Sequence, residues 1–211
     1  MTSHPVFWAG LALALAYLPL AAASNTWPRS ALKTAPLLAF ALASQAVDAP
    51  PLFTAALLFS AAGDFALSRQ GRAAFLYGLA AFALAHLLYV LVFTGLSQRP
   101  PWEAFALSPI LAAVLVGFGL SAELWLTPHV GRLAWPVRIY VALIVAMGLA
   151  ALAQPLGLLA VGAGLFIASD CVLALRMFRM NAGDPRRRAA SWAVWVLYIV
   201  GQALIVAAVA G

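Results

Sequence analysis

Residues 57–93 read LLFSAAGDFALSRQGRAAFLYGLAAFALAHLLYVLVF, two apolar runs joined by a short basic turn. Asp64 lies in the first run and His86 in the second, and Asp170 occupies a similar setting downstream, in GLFIASDCVLAL. An ionisable group within a lipid-spanning segment is costly, typically faces the bundle interior and marks a functional site. The function of this chain must therefore explain why so apolar a protein keeps these three groups.

The composition excludes a water-soluble globular protein. The 211 residues are 65% hydrophobic and 9% charged, with a mean hydropathy of +1.00, whereas soluble domains carry about 25% charged residues. Apolar runs of about 20 residues recur along the whole length and leave no space for a soluble domain. We expect an all-α polytopic membrane protein, with residues 1–211 forming a single transmembrane helical domain.

Turn and polar residues divide the chain into eight expected transmembrane helices. These lie at about 5–23, 31–47, 51–67, 73–94, 105–126, 137–153, 156–178 and 189–210. Ala21, Ala22 and Ala23 resemble a signal-peptide cleavage site, but Arg29 and Lys33 follow the first helix and no basic residue precedes it. That charge order is the reverse of a signal peptide, so the first helix is expected to be retained.

The basic residues predict the orientation of these helices. Arg99 alone lies in the termini or the even-numbered connections. The odd-numbered connections and their flanks carry all the others: Arg29, Lys33, Arg69, Arg72, Arg132, Arg138, Arg176, Arg179, Arg186, Arg187 and Arg188. Cytoplasmic loops are enriched in Lys and Arg, so we expect these connections in the cytoplasm and both termini outside.

The same distribution explains the net charge of +6 without a nucleic-acid partner, because the arginines are spread over short loops rather than gathered in one patch. Eleven Arg against one Lys, together with the many Ala residues, indicate a GC-rich bacterial gene. The expected location is therefore the bacterial inner (plasma) membrane.

The orientation brings several polar residues to one depth. Lys33, Asp64 and Asp170 all lie near the cytoplasmic ends of their helices, whereas His86 is nearer the midplane. This convergence predicts a cavity open to the cytoplasmic leaflet. Helices 3 and 7 also share a small-Asp-x-x-Leu pattern around the two aspartates, which fits either a weak internal repeat or a chance match.

The two aspartates, Asp64 and Asp170, are the first candidates for chemistry. Burial favours the neutral form of a carboxyl group, and two carboxyls in one pocket tend to divide into a proton donor and a charged partner. The alternative is that each one pairs with a cation only to hold helices together; their matched depth favours function. His86 fits a base, an orienting residue or a metal ligand, although its stripe with Phe82 and Tyr89 also fits packing.

The remaining polar residues allow two interpretations each. Lys33 and Arg138 lie at the cytoplasmic interface and fit either lipid-phosphate binding or ordinary snorkelling. Tyr140, Tyr198 and Gln202 fit either cavity lining or bridges between helices.

Other site types have no sequence support. No metal or other cofactor is expected, since neither an HxxxH motif nor a His/Cys pair accompanies His86. The single cysteine, Cys171, excludes an internal disulfide and is expected to pack. No GxSxG motif supports a serine hydrolase.

From Lys33 onward the chain resembles the YhhN-type lysoplasmalogenase family of integral membrane proteins. The resemblance rests on LKTAPLL (32–38), LLFSAAGD (57–64), FLYGLAAFALAHLLYVLVF (75–93), IYVALIVAMGLAAL (139–152), GAGLFIASDCVLALRMF (162–178) and WVLYIVGQALI (195–205). Each of these elements alone is weak evidence for the family, but together and in this order they are fairly specific for it.

The resemblance implies an eight-helix fold and hydrolysis of the vinyl ether bond of a lysoplasmalogen. The products would be a fatty aldehyde and glycerophosphoethanolamine or glycerophosphocholine. It further implies a site made of Lys33, Asp64, His86, Tyr89, Tyr140, Asp170, Tyr198 and Gln202, in which Asp64, Asp170 and His86 would be catalytic.

This chemistry suits the residues. A vinyl ether is hydrolysed by protonation at its β-carbon, followed by addition of water to the resulting oxocarbenium ion. The reaction needs a neutral acid, a nearby negative charge and one water molecule, and paired carboxylates solve a related problem in glycosidases. Lys33 with Arg138 would hold the phosphate of the lysophospholipid substrate, and the apolar bundle would take its single chain.

Two other functions remain open at this stage. A proton-coupled carrier for a lipid or small solute would use Asp64, Asp170 and His86 as a proton relay. A non-catalytic membrane scaffold would leave the buried carboxylates without a purpose. Membrane lipids are expected partners in every case.

Overall fold

Helices make up most of the structure, a computed structural model that describes residues 4–155 and 157–210. The long helices are α1 (Pro5–Tyr17), α2 (Trp27–Gln45), α3 (Pro51–Leu67), α4 (Arg72–Ser97), α5 (Pro109–Trp125), α6 (Ala134–Leu152), α7 (Leu158–Phe178) and α8 (Arg186–Val209). A one-turn helix, Ala104–Leu107, precedes α5, and short 3₁₀ turns occur in the connections. No strand occurs in the described ranges, so the all-α expectation is confirmed.

Within the described residues, five helices are long and apolar enough to cross a membrane: α4, α5 with its extension to His129, α6, α7 and α8. The segment Pro5–Leu20 and helix α3 are apolar but shorter. At 1.5 Å per residue, the 17 residues of α3 cover about 25 Å. The chain is therefore an integral membrane protein.

Several helix ends differ from the expected bounds because caps and prolines decide them. Helix α2 begins at Trp27 rather than near residue 31, since the Thr26 side chain accepts a hydrogen bond from the Arg29 amide (3.4 Å). The span expected at 105–126 is interrupted at Ser108, whose backbone leaves the helical region before Pro109. The span expected from residue 156 starts on Leu156, which lies outside the described residues, and α7 begins at Leu158.

Helices adjacent in sequence pack side by side. Pairs α1–α2, α2–α3, α3–α4, α5–α6, α6–α7 and α7–α8 are in contact, and α4 also packs on α6. Buried apolar residues of α1 to α4 and α6 to α8 form one core cluster. Helix α5 lies outside this cluster and packs mainly on α6, so Ile110, Leu120 and Leu124 on its outer face are highly exposed. Such a face is suited to contact with lipid.

The connections rich in basic residues lie at one end of the bundle. Arg69, after α3, donates a hydrogen bond to Ser30 in the first turn of α2 (3.2 Å). Arg179, after α7, donates to the carbonyl of Trp125 at the end of α5 (2.9 Å). These contacts hold the basic ends of neighbouring helices together.

Candidate active site

A polar cavity of about 850 Å³ opens at the end of the bundle that carries the basic connections. Its wall includes side chains of α1, α2, α3, α7 and α8, so helices far apart in sequence meet there. Both aspartates line it, as the shared depth of Asp64 and Asp170 suggested. Its other charged or polar side chains are Tyr17, Asn25, Arg29, Lys33, Ser68, Ser169, Arg176, Ser191 and Tyr198.

Asp64 is a buried carboxylate that forms an ion pair with a lysine. Lys33 Nζ lies 2.8 Å from its Oδ1, while Oδ2 has no hydrogen-bond partner within the described part of the chain. Gly63 precedes it because a side chain there would collide with Phe82 of α4: a Cβ would lie 2.5 Å from the ring. The glycine thus lets α3 and α4 approach closely at the level of Asp64.

Asp170 has a tyrosine and a histidine as neighbours instead of a lysine. The Tyr140 hydroxyl donates to its Oδ2 (2.9 Å), and His86 Nε2 lies 3.5 Å from the same oxygen. His86 Nδ1 is 2.6 Å from the Phe82 carbonyl oxygen. A carbonyl only accepts hydrogen bonds, so Nδ1 carries a proton and donates to Phe82, while Nε2 faces Asp170.

A second cavity, of about 840 Å³, is lined almost entirely by apolar side chains of α4, α5, α6 and α7. The two cavities meet, since both are lined by Leu67, Phe82, Asp170, Leu173 and Met177. Tyr140 and Cys171 also line the apolar cavity. Asp170 is the one titratable group of the described ranges that lines both cavities, so its carboxyl group lies at the boundary between a polar and an apolar space.

Of the other residues predicted for the site, Tyr198 lines the polar cavity, and its buried hydroxyl has no hydrogen-bond partner among residues 4–155 and 157–210. Tyr89 and Gln202 lie deeper. The Tyr89 hydroxyl donates to Gln202 Oε1 (2.6 Å), and Gln202 Nε2 donates to Ser60 Oγ (3.2 Å). Neither of them lines the two cavities, so they bridge α4, α8 and α3 behind the site.

Arg138 is not brought to the aspartates. It makes two hydrogen bonds to Glu123 (2.7 and 2.8 Å) and lines a third cavity between α5 and α6, which adjoins the apolar cavity but does not include either aspartate. Two other arginines, Arg29 and Arg176, line the polar cavity instead. Sequence reasoning counted both only as indicators of orientation. In the described ranges no group of three His, Cys, Asp or Glu side chains is arranged to hold a metal ion.

Comparison with known proteins identifies the family, because the model of the YhhN family matches residues 25–209. The chain belongs to the YhhN family. It is similar to proteins named lysoplasmalogenase from Mycobacterium bovis and Mycobacterium tuberculosis, each 32% identical over 157 residues, which cover 72% of this chain and 58% of the relative. It is also similar to lysoplasmalogenase TMEM86B of Sus scrofa, 35% identical over 164 residues (72% and 65%).

The chain thus spans about three fifths of the length of these relatives. No solved structure matches it. The match to the YhhN family contains α2 to α8, all of the apolar cavity and most of the polar one. Helix α1, which adds Tyr17 to the polar cavity, lies before the matched region.

Proposed function

We propose that this YhhN-family protein hydrolyses the vinyl ether bond of lysoplasmalogens, releasing a fatty aldehyde and a glycerophospho headgroup. The meeting of the two cavities at Asp170 is the main support. A lysoplasmalogen has one apolar chain and one polar headgroup, and its vinyl ether bond lies where the two join. The names of the relatives support the same substrate class.

In this proposal Asp170 is the acid and Asp64 is the charged partner. The ammonium of Lys33, 2.8 Å away, favours the ionised form of Asp64. With His86 neutral in this mechanism, Asp170 faces a phenol and an imidazole nitrogen, which favour ionisation less than a full positive charge does. Two nearby carboxyls in a poorly solvated site do not both ionise readily, so Asp170 keeps its proton.

The groups of this site can supply and take back the proton that the reaction needs. Asp170 gives its proton to the β-carbon of the vinyl ether, and the double-bond electrons form the new C–H bond and leave an oxocarbenium ion. The Asp64 carboxylate stabilises that cation. Water adds to the cationic carbon and loses a proton to the Asp170 carboxylate, directly or through His86 Nε2. The hemiacetal collapses to the aldehyde and the alcohol.

The unpartnered polar atoms of the site supply a place for that water. Asp64 Oδ2 and the Tyr198 hydroxyl are buried, line the same cavity and lack hydrogen-bond partners in the described ranges. Buried polar groups are usually satisfied, by ordered water where no protein group serves. The Tyr198 hydroxyl lies beside the Asp64 carboxylate, so a water molecule bound by both groups would be held next to the stabilising charge.

We further propose that all eight long helices cross the bacterial plasma membrane, with both termini outside and the polar cavity open to the cytoplasmic leaflet. The gathering of the basic connections at the cavity end supports this orientation.

The decisive assay presents the purified protein with an alkenyl lysolipid and with its acyl and saturated alkyl analogues. We expect aldehyde only from the alkenyl compound, and none after Asp170→Asn. Fatty acid from the acyl compound would contradict the proposal, as would the absence of aldehyde. Transport of the lipid by proteoliposomes, without any aldehyde, would favour the carrier function instead.

A further inference from the structure

The polar cavity carries more positive charge than its carboxylates can balance. Lys33 is already paired with Asp64. Arg29 and Arg176 line the same cavity and have no carboxylate within ion-pair distance among the described residues. Two guanidinium groups facing one partly buried space repel each other, and removal from water makes that repulsion stronger. An anion bound between them would offset that repulsion.

Arg29 is held in place for such a role. Its Nε donates to the Leu20 carbonyl (2.7 Å), its Nη2 to the Ala21 carbonyl (2.9 Å) and its Nη1 to Asn25 Oδ1 (3.0 Å). A guanidinium has five N–H donors, so two remain for a ligand. The three bonds tie the group to the α1–α2 connection and reduce the conformational entropy that binding would cost.

Arg176 has no such ties. Its Nε is buried without a hydrogen-bond partner, and its side chain makes no ion pair or hydrogen bond within residues 4–155 and 157–210. An unsatisfied buried donor on a charged group requires an explanation, and an absent ligand is the simplest. Arg187 adds to the positive charge nearby, since it donates to the Arg176 carbonyl (2.9 Å).

We propose that Arg176, with Arg29 beside it, binds the phosphate group of the substrate. Planar guanidinium groups bind phosphate oxygens through paired, charge-assisted hydrogen bonds. In a lysoplasmalogen the glycerol carbons separate the phosphate from the vinyl ether, as the polar cavity separates these arginines from the apolar one. This assignment rests on the proposed function for the identity of the ligand, and it replaces Arg138, which is paired with Glu123 elsewhere.

The kinetic test compares two substrates, alkenyl-glycerophosphoethanolamine and alkenylglycerol, which lacks the phosphate. We expect Arg176→Gln to lower kcat/KM for the phospholipid about ten- to a hundredfold, mainly through KM, as for a lost hydrogen bond to a charged group. Turnover of alkenylglycerol should not change. Arg188→Gln is the matched control, since Arg188 is an exposed cation of the same end that stacks over Trp192.

Equal losses on both substrates, or none on the phospholipid, would overturn the assignment. A phosphate-specific loss in Arg138→Gln instead of Arg176→Gln would do the same. Arg176→Lys keeps the charge without the planar fork, and we expect an intermediate KM.

A binding measurement separates this inference from the proposed reaction. Saturated alkyl-glycerophosphoethanolamine has no vinyl ether, and we expect it to raise the Tm of the wild-type protein in maltoside detergent more than alkylglycerol does. Arg176→Gln should remove that difference. If it does so while the wild type releases no aldehyde, the reaction is wrong and the phosphate site stands. Equal shifts by both compounds would overturn the site.

Inorganic phosphate and glycerophosphoethanolamine distinguish the source of the phosphate group. If neither shifts the Tm at millimolar concentration, the ligand is the lipid headgroup attached to its chain. If inorganic phosphate shifts the Tm in an Arg176-dependent way, the site also takes the free anion.

Discussion

The neighbours of the two aspartates differ, and in the proposed mechanism this difference separates their roles. Asp64 is paired with Lys33, whereas Asp170 contacts Tyr140 and lies 3.5 Å from His86. A charge that is permanently paired suits stabilisation of a cation, and a carboxyl group among neutral partners suits proton donation. If the proposed roles are right, neither residue can substitute for the other.

We accordingly expect Asp64→Asn and Asp170→Asn each to lower kcat for aldehyde release at least ~10²-fold, within the range for a positioned acid or base. The double variant should be scarcely slower than the poorer single one, because residues that act as a unit are not additive. Glu103→Gln is the control, since it removes an exposed carboxylate paired with Arg99. Near-normal turnover by both folded Asn variants would rule out the mechanism and direct attention to His86.

Two tyrosine substitutions, at Tyr140 and Tyr89, test which residues belong to the site and which to the core behind it. Tyr140→Phe removes the hydroxyl that contacts Asp170, so we expect a lower kcat with little change in Tm. Tyr89→Phe leaves the buried Gln202 Oε1 without its donor. We expect it to reduce the free energy of unfolding by about 1–3 kcal/mol and to leave kcat unchanged. Kinetic and melting measurements on both variants test this. A lower kcat in Tyr89→Phe together with a lower Tm in Tyr140→Phe would contradict these positions.

The sequence was informative about residues whose chemistry conflicts with their surroundings. Asp64 and Asp170 stand out in apolar runs, and the structure does bring them to one cavity. Arg138 was expected near the phosphate only because of its depth in the membrane, and that prediction was not supported. Depth does not show which face of a helix a side chain occupies or which acid lies opposite. Arg29 and Arg176 did not stand out in the sequence, because their chemistry matches their expected surroundings. Arginine is ordinary at a cytoplasmic interface, so only the fold reveals that these two share a cavity.

At the level of helices, α7 and α8 cross at a pair of glycines. A Cβ on Gly162 would lie 2.8 Å from the Gly201 carbonyl oxygen, and a Cβ on Gly201 would lie equally close to the Gly162 carbonyl. Small residues permit such close backbone contact between membrane helices. This crossing fixes the position of Asp170 on α7 relative to Tyr198 on α8.

We expect Gly162→Ala to force α7 and α8 apart and to destabilise the protein by about 1–3 kcal/mol, as overpacking does. Gly164→Ala is the matched control on the same helix, because a Cβ there meets nothing within 4 Å. It should be neutral or slightly stabilising, since alanine favours helix more than glycine does. Thermal unfolding in detergent measures both, and equal Tm values for the two variants would contradict the close crossing.

Helix content was easier to predict than helix ends. Long apolar runs identify helices whatever their packing, but the ends depend on single residues such as Thr26, which caps α2. The run at 105–126 is apolar throughout, so hydropathy alone did not indicate the break at Ser108. The Ser108-Pro109 pair did carry that information, since a residue before proline avoids helical geometry.

At the scale of the whole molecule, the two ends of the bundle differ in charge and in openness. The cavity end carries the basic connections, with Arg69 and Arg179 joining neighbouring helix ends. Toward the other end, Gln154 donates to the Phe93 carbonyl (2.6 Å) and Ser44 hydrogen-bonds Thr54 (2.8 Å). If positive charge faces the cytoplasm, the proposed lysolipid substrate would enter the polar cavity from the inner leaflet.

Cysteine labelling tests this orientation, and it needs one reporter position at each end. In a Cys171→Ser background, Trp102→Cys places a thiol at an exposed site between α4 and α5, near Arg99. Gly183→Cys places one in the basic connection between α7 and α8, where the chain is also exposed. An impermeant maleimide added to intact spheroplasts should label only the first variant, and lysis should expose the second. Labelling of Gly183→Cys before lysis would invert the topology and move the cavity to the outer leaflet, because the basic connections and the cavity share one end of the bundle.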